Sequence, residues 1–480
     1  MKEFKNLING QWVDASNGAT FENRNPANTD EVIGTFPSAT REDTRRAIAA
    51  AREAFPKWAA LPAPSRGALL DKASQIIASR MDELAATLTR EEGKTLAEAR
   101  GEAVRARDLF RFFGGEGWRI KGDMLPGTVT DELIFTRREP LGVIGLITPW
   151  NFPLAIPAWK MAPALSYGNT VVFKPASFSP HVSLMLVEAL MEAGLPPGVV
   201  NYITGSGREV GDEIVNSPDV NGISFTGSYD VGTRVYAQAI KNLTRVQLEM
   251  GGKNPTIVLN DAKLDLAVSI AVTGGFGLTG QACTATSRVI VEEGIADRFA
   301  AALADAARNL KVGSGLDSGT QMGPAVSQDQ LETDLKYIQI GRQEGARLLA
   351  GGDVMGPGGF FIQPTVFDQV DPHMRIAQEE IFGPVIGIIR AKNVDDAIEK
   401  ANGIGFGLSA GIVTNDLHNA LVFAERIEAG VVKINEPTTG LGPHVPFGGF
   451  KHSSANTFKE QGQSAIDFYT RTKTVYLKHG

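Results

Sequence analysis

The sequence predicts an α/β fold of two parallel-sheet lobes with a small separate β element, and three observations carry that expectation. From Leu141 onward, short β-rich runs alternate with helix-like stretches at the spacing of βαβ units. The runs fall into two sets that meet near Glu249–Asn254. The last segment, Asp467–Tyr476, is β-rich and follows a polar stretch, so it is expected to pair away from its own lobe.

The amino-terminal part reads as helical. Thr40 followed by Asp43 is a variant of the capping box ahead of a helix over Thr44–Phe55, where Ala and Arg favour helix. Pro64–Glu92 places Leu69, Leu70, Ala73, Ile76 and Ile77 at a 3.6-residue period, which gives one buried face. Residues from about Gly93 to Trp118 read as a further helix, bearing Arg105, Arg107 and Arg111. The first set of strands is Gly142–Thr148, Thr170–Lys174, Val199–Thr204, Gly222–Thr226 and Arg245–Met250, separated by helices such as His181–Ala193 and Glu209–Asn216. The second set begins with Pro255–Leu259 and continues through Arg288–Glu292, Pro384–Ile389 and Val431–Ile434. No internal repeat or low-complexity segment interrupts them.

Composition narrows the function classes. The chain has 480 residues, 43% hydrophobic and 21% charged, with a mean hydropathy of -0.07. That is long enough for about three domains or lobes around a large core. Lys+Arg 47 against Asp+Glu 54 leaves a net charge of -7, and the absence of basic runs argues against nucleic-acid binding as the main task. No stretch approaches the ~18 apolar residues of a membrane span. Met1–Trp12 lacks a continuous apolar core of the signal-peptide kind, so a cytoplasmic location is expected. The single cysteine forbids an intrachain disulfide and any cysteine-based zinc or iron–sulfur cluster.

Two glycine-rich turns could hold phosphate. Thr204–Gly211 follows a strand and opens a helix with glycines spaced GxGxxxG, and Phe225–Gly232 follows a strand with spacing GxxxxG. Neither is the dinucleotide fingerprint GxGxxG nor a Walker A loop, so spacing leaves open a phosphate cradle or a plain strand–helix turn. Cys283, in Gly280-Gln281-Ala282-Cys283-Thr284-Ala285, reads by itself as a small buried hydrophobe more readily than as a nucleophile. Its small neighbours allow a ligand close approach. Glu249 near the end of a strand-like run and Asn151 just past another add a carboxylate and an amide donor. Thiol, carboxylate and amide are together the parts of a covalent acyl-transfer site.

At this point the sequence resembles the aldehyde dehydrogenase superfamily. The matching motifs are Pro149-Trp150-Asn151-Phe152-Pro153, Lys174-Pro175, Phe225-Thr226-Gly227-Ser228, Leu248-Glu249-Met250-Gly251-Gly252-Lys253, Gly280-Gln281-Ala282-Cys283, Glu380-Ile381-Phe382-Gly383-Pro384 and Pro446-Phe447-Gly448-Gly449. They stand in family order, and the resemblance covers essentially the whole chain. It implies a Rossmann-like cofactor lobe over residues 1–120 and 141–251, a catalytic lobe over 252–435, and oligomerisation segments at 121–140 and 460–480 that pair subunits into a homodimer or homotetramer. It implies Cys283 as the nucleophile, Asn151 with the Cys283 backbone N–H as the oxyanion site, Glu249 as the general base, and Lys160 as a second basic residue nearby. Hydride transfer needs no metal, and the six scattered histidines hold no HExxH pair.

The same resemblance distributes the cofactor contacts. Thr148 and Trp150 lie along the cofactor, Lys174 and Ser177 meet the adenosine ribose, and Gly207 and Gly211 belong near the adenine. Gly227, Ser228 and Gly232 line the pyrophosphate, while Glu380 and Phe382 position the nicotinamide end. A glutamate at the position of Ser177 would repel a 2′-phosphate, so neutral Ser177 beside Lys174 favours NADP, with NAD as a second cofactor.

For the substrate, Lys433–Pro446 and Ser453–Thr457 resemble the matching loops of 2,5-dioxopentanoate (α-ketoglutaric semialdehyde) dehydrogenases, and related sequences oxidise glyceraldehyde. Phe152, Trp159, Thr284 and His444 are expected along the substrate tunnel. Succinate semialdehyde dehydrogenases often carry arginine where this chain has Trp159, and Arg105 could supply the cation instead or be a solvated helix arginine. An inactive relative should have lost Cys283, Glu249 or Asn151, and CoA-acylating relatives often lack the glutamate.

Overall fold

The computed structural model describes residues 2–479 and contains two seven-stranded sheets, a three-stranded sheet and two small β pairs. In the first large sheet the order is Arg245–Glu249, Gly222–Thr226, Val143–Ile147, Thr170–Lys174 and Val200–Tyr202, all parallel. Asn6–Ile8 and Gln11–Val13 extend it antiparallel. These central strands are buried at every position but Ile147, which suits their near-continuous Val, Ile and Phe content.

The second sheet runs Arg347–Ala350, Thr365–Asp368, Val385–Ala391, Thr286–Glu292, Asn254–Val258, Ser409–Val413 and Val431–Ile434, with only the first strand antiparallel. Only Met250–Lys253 separates the last parallel strand of the first sheet from Asn254–Val258 in the second. The tail strand Thr470–Lys478 pairs antiparallel with Glu132–Pro140 over its full length, and Met124–Pro126 completes the third sheet. No described helix is long and apolar enough to cross a membrane.

The helices have local causes. Arg41–Ala60 starts at the complete capping box of Thr40 and Asp43, three residues earlier than the composition suggested. A second capping box, Thr95 with Glu98, starts Leu96–Gly114. Ala155–Ser166 is buried at every position, as expected for a helix apolar all round between a sheet and neighbouring helices.

Several expected boundaries differ. Pro64–Glu92 is two helices, Ala63–Ser79 and Met81–Glu92, broken at Arg80. The stretch to Trp118 ends as α-helix at Gly114 and finishes in a 3-10 turn. Helix after the GxGxxxG turn begins only at Asp212, because Gly207–Gly211 forms a single π turn. Asp467–Tyr469 belong to the helix Gly462–Tyr469, and the tail strand begins at Thr470. There the aromatic residues pack inward as a helix face, overriding their β propensity.

Removing the cap with Thr40→Ala should lower stability by about 1 kcal/mol, read as a lower urea midpoint with an unchanged slope.

Candidate active site

Cys283 lies on the loop between the helix Leu264–Phe276 and the strand Thr286–Glu292. The approach to it is strained: Leu278 and Thr279 both take left-handed backbone, with φ of 55° and 58°, and Gly280 follows at 68°. Side chains from both lobes hold the loop in place. Asn254 Nδ2 donates to the carbonyls of Cys283 at 2.8 Å and Ala285 at 2.9 Å. Asn151 Nδ2 donates to the Gln281 carbonyl at 2.8 Å, and Gln281 Oε1 accepts the Val326 N–H at 2.9 Å. A Cβ at Gly280 would overlap the Gly383 carbonyl, so this glycine lets the cysteine loop touch the Glu380–Gly383 turn.

Asn151 is itself anchored. Lys94 Nζ donates to its carbonyl at 2.7 Å and is ion-paired with Glu102 at 2.6 Å. Glu102 Oε1 accepts the N–H groups of Leu154 and Ala155 at the start of the helix Ala155–Ser166. Lys94, Glu102 and Asn151 are all buried. Neither Lys94 nor Glu102 stood out in the sequence; their only signal was a charged run, Glu91-Glu92-Gly93-Lys94, at a helix boundary.

Two cavities meet at Cys283. The larger, about 240 Å³, is lined by Trp150, Asn151, Gly227, Ser228, Glu380 and Phe382 among others. Trp150 and Phe382 meet edge to face, ring centroids 5.5 Å apart, with Phe382 held at a φ of 63°. The smaller, about 80 Å³, is lined by Arg105, Phe152, Trp159, Thr284, Leu441 and Phe447 among others. Cys283 is the one described residue that lines both. Arg105 places its guanidinium 5.5 Å from the centre of the Trp159 ring and donates to Gln461 Oε1 at 2.8 Å and to the Leu441 carbonyl. Among the described residues it has no carboxylate partner, and burial lowers its pKa to about 10.

Glu249 ends its strand buried, with Oε2 accepting from Ser454 Oγ at 2.9 Å and Oε1 without a hydrogen-bond partner. Burial first, and then the nearby Glu460 carboxylate, push its proton affinity well above the usual carboxylate range; Ser454, Lys160 and Lys459 oppose that. Burial and the carboxylates of Glu249, Glu380 and Glu460 likewise push the Cys283 thiol up, so it rests protonated.

The sequence matches the aldehyde dehydrogenase family over residues 12–475. It is 49% identical to the alpha-ketoglutarate semialdehyde dehydrogenase of Haloferax volcanii over 98% of each chain. It is 46% identical to the alpha-ketoglutaric semialdehyde dehydrogenase of Bacillus subtilis over 99% of this chain and 98% of that one. The solved structure of an NAD-dependent aldehyde dehydrogenase from Sinorhizobium meliloti superposes with a TM-score of 0.97 at 39% identity, covering 99% of this chain and 95% of that one. The chain belongs to the aldehyde dehydrogenase family. It is an NAD(P)-dependent enzyme that oxidises an aldehyde to the acid.

In this dehydrogenase the expected cofactor residues fall into separate places. Trp150, Gly227, Ser228, Glu380 and Phe382 line the larger cavity, where Thr226 offers a buried hydroxyl with no partner. Thr148 is buried behind it with its hydroxyl also unpartnered. Glu380 accepts the Gly252 N–H at 2.8 Å, and burial raises its pKa to about 7. A cavity of this size with unpartnered donors and an edge-to-face aromatic pair fits a nicotinamide end. Lys174, Ser177, Gly207 and Gly211 lie outside it. Lys174 is buried, with a pKa lowered to about 8 and only the Pro175 carbonyl to accept from it, while Ser177 is exposed. A Cβ on Gly211 would lie 3.9 Å from Lys174 Cδ, so those two face each other. Gly232 does not line the cavity; a Cβ there would overlap Met250, so its glycine serves close helix–strand packing.

Other placements differ more sharply from expectation. Lys160 lines neither cavity: it is buried behind Glu249, ion-paired with Glu460 and donating to Ser224 Oγ at 2.8 Å. His444 is exposed and outside the smaller cavity. Glu460 and Gln330 were missed by sequence reasoning. Glu460 carried no signal beyond its place in a polar stretch. Gln330, which lines the larger cavity and donates to Asp334 at 2.8 Å, sits in an ordinary polar helix. Among the described residues no trio of His, Cys, Asp or Glu could hold a metal ion.

Because Cys283 is the only thiol, iodoacetamide inactivation should track one modified residue per chain. Below the raised thiol pKa its rate should climb about tenfold per pH unit. Peptide mapping and residual activity measured together check both.

Proposed function

We propose that the substrate is the dicarboxylic semialdehyde 2,5-dioxopentanoate (α-ketoglutarate semialdehyde), oxidised to 2-oxoglutarate in the cytoplasm with NADP favoured over NAD. The observation that carries this reading is Arg105. It is a partly buried guanidinium that, among the described residues, makes no ion pair with a carboxylate, in the same cavity as the Cys283 thiol. A buried charge without a counterion is costly, and the distal carboxylate of the substrate supplies that counterion. The names of the relatives from Haloferax volcanii and Bacillus subtilis support the same substrate.

The chemistry follows from the placement of Cys283 between the cavities. Its thiol gives up its proton to solvent water and the sulfur attacks the aldehyde carbon, forming a C–S bond and an oxyanion. The second amide hydrogen of Asn151 and the Cys283 backbone N–H hold that oxyanion. Trp150, Glu380 and Phe382 would hold the nicotinamide ring and its ribose, and the bound cofactor supplies the acceptor for the hydride that leaves the same carbon. That leaves a thioester on Cys283. Glu249 takes a proton from water as the oxygen attacks the thioester carbon; the C–S bond breaks, the acid leaves, and the Cys283 thiolate takes the proton from Glu249, which restores both thiol and base. Lys160, paired with Glu460 behind Glu249, limits how far the base is pushed up.

The lobe over residues 1–120 and 141–251 is read as the cofactor lobe and 252–435 as the catalytic lobe. Lys174 and the exposed, neutral Ser177 are read as the adenosine end, at a position where a glutamate would repel a 2′-phosphate. Leu125 and Tyr476, which share one face of the three-stranded sheet because both lie opposite Ile134, are 43% and 66% exposed. That apolar face supports pairing of subunits through 121–140 and 460–480 into a homodimer or homotetramer.

A panel of kcat/KM values tests the substrate. The expected order is 2,5-dioxopentanoate above succinate semialdehyde, with glyceraldehyde and propanal lower; a preference for the uncharged aldehydes would overturn the reading. Arg105→Leu should cut kcat/KM for 2,5-dioxopentanoate about 100-fold while leaving propanal nearly unchanged. Ser177→Glu should move the NADP:NAD ratio of kcat/KM toward NAD by at least about tenfold.

A further inference from the structure

We propose that Ser454 is the positioning residue of the base: its hydroxyl holds Glu249 Oε2 and leaves Oε1 as the oxygen that takes the proton from the attacking water. This rests on the reading of Glu249 as general base.

The hydroxyl of Ser454 is fully committed. It is buried, accepts the Gly449 N–H at 2.7 Å, and donates its one proton to Glu249 Oε2 at 2.9 Å. The segment that carries it is laced to the strand that carries Glu249. Met250 N–H donates to the Ser453 carbonyl at 2.8 Å, and Leu248 N–H to Thr457 Oγ1 at 2.9 Å. Thr457 Oγ1 donates in turn to the Ser454 carbonyl at 2.8 Å, and Gln247 Nε2 to the Lys459 carbonyl at 2.8 Å. Lys451, Ala455 and Asn456 all take left-handed backbone, with φ of 49°, 47° and 56°. Non-glycine residues stay there only where the surroundings fix them.

The other side of the carboxylate is shaped differently. A Cβ at Gly448 would lie 2.5 Å from Glu249 Oε1, so glycine leaves the space beside that oxygen open. Oε1 is buried without a partner, whereas Oε2 is held. The carboxylate therefore has one anchored oxygen and one unengaged oxygen. The charged groups acting on it are Glu460, Lys160 and Lys459, and the Cys283 thiol lies within its field. Against burial and Glu460, the Ser454 hydroxyl is the neutral donor that favours the charged, basic form.

The test is the pH dependence of acyl-enzyme hydrolysis, followed in single turnover by acid quench with the full-length enzyme, for wild type, Ser454→Ala, Ser454→Thr and Glu249→Gln. Ser454→Ala should move the acid limb upward by about one pH unit and slow hydrolysis near pH 7 about tenfold, with thioester formation unchanged. Ser454→Thr, which keeps the hydroxyl, should restore the wild-type limb. If Ser454→Ala does not fold, Ser454→Gly carries the same expectation. An unmoved acid limb in the hydroxyl-free variant, with Glu249→Gln unable to hydrolyse the thioester, would overturn the role of Ser454 alone. Undiminished hydrolysis by Glu249→Gln would instead remove the base reading beneath it.

Discussion

The site depends on the suspension of one loop between two side-chain amides. Asn151 reaches the Gln281 carbonyl from the first lobe, and Asn254 reaches the Cys283 and Ala285 carbonyls from the second. Backbone carbonyls on a strained, buried loop need partners, and these two asparagines supply them across the seam where the sheets adjoin. The thiol is thereby held where the two cavities open on each other. Loss of either asparagine would free carbonyls that nothing else satisfies, and the left-handed pair Leu278–Thr279 would have less to hold it.

Around this suspension the charges are arranged in nested pairs. Lys94–Glu102 sits under Asn151 and caps the helix that carries Trp159, so Asn151 and a wall of the smaller cavity share one buried ion pair. Lys160–Glu460 sits behind Glu249. Buried pairs of this kind contribute little net stability, but breaking one strands a charge in the core, which makes them effective fixtures of geometry. Arg105 is the exception. It stacks on Trp159 and bonds to amide and carbonyl oxygens, and among the described residues it makes no ion pair with a carboxylate.

Much of this was legible in the sequence where chemistry and periodicity coincide. Thr170–Lys174, Gly222–Thr226 and Val431–Ile434 appear at the expected bounds because short apolar runs between Gly or Asn have few other uses in a parallel sheet. Cys283 and Glu249 stood out as a lone thiol and a strand-end carboxylate beside glycines, and Asn151 as an amide just past a strand. What escaped was burial of charge. Lys94, Glu102 and Glu460 look like surface residues in a sequence, and only tertiary packing makes them interior. Glu132–Pro140 escaped as a strand for a related reason: its charged side chains Arg137, Arg138 and Glu139 read as a solvated run until the tail strand pairs with it. The GxGxxxG turn was misread as opening a helix directly, because spacing alone does not distinguish a π turn from a helix start.

In the proposed chemistry one thiol serves both cavities through a covalent acyl intermediate. Its most direct test is intact-mass and peptide mass spectrometry of Glu249→Gln enzyme mixed with 2,5-dioxopentanoate and NADP. A stable acyl adduct is expected, one per chain, on the peptide containing Cys283, with one reduced cofactor formed per adduct. Reduced cofactor accumulating over many turnovers with no mass added to that peptide would contradict it.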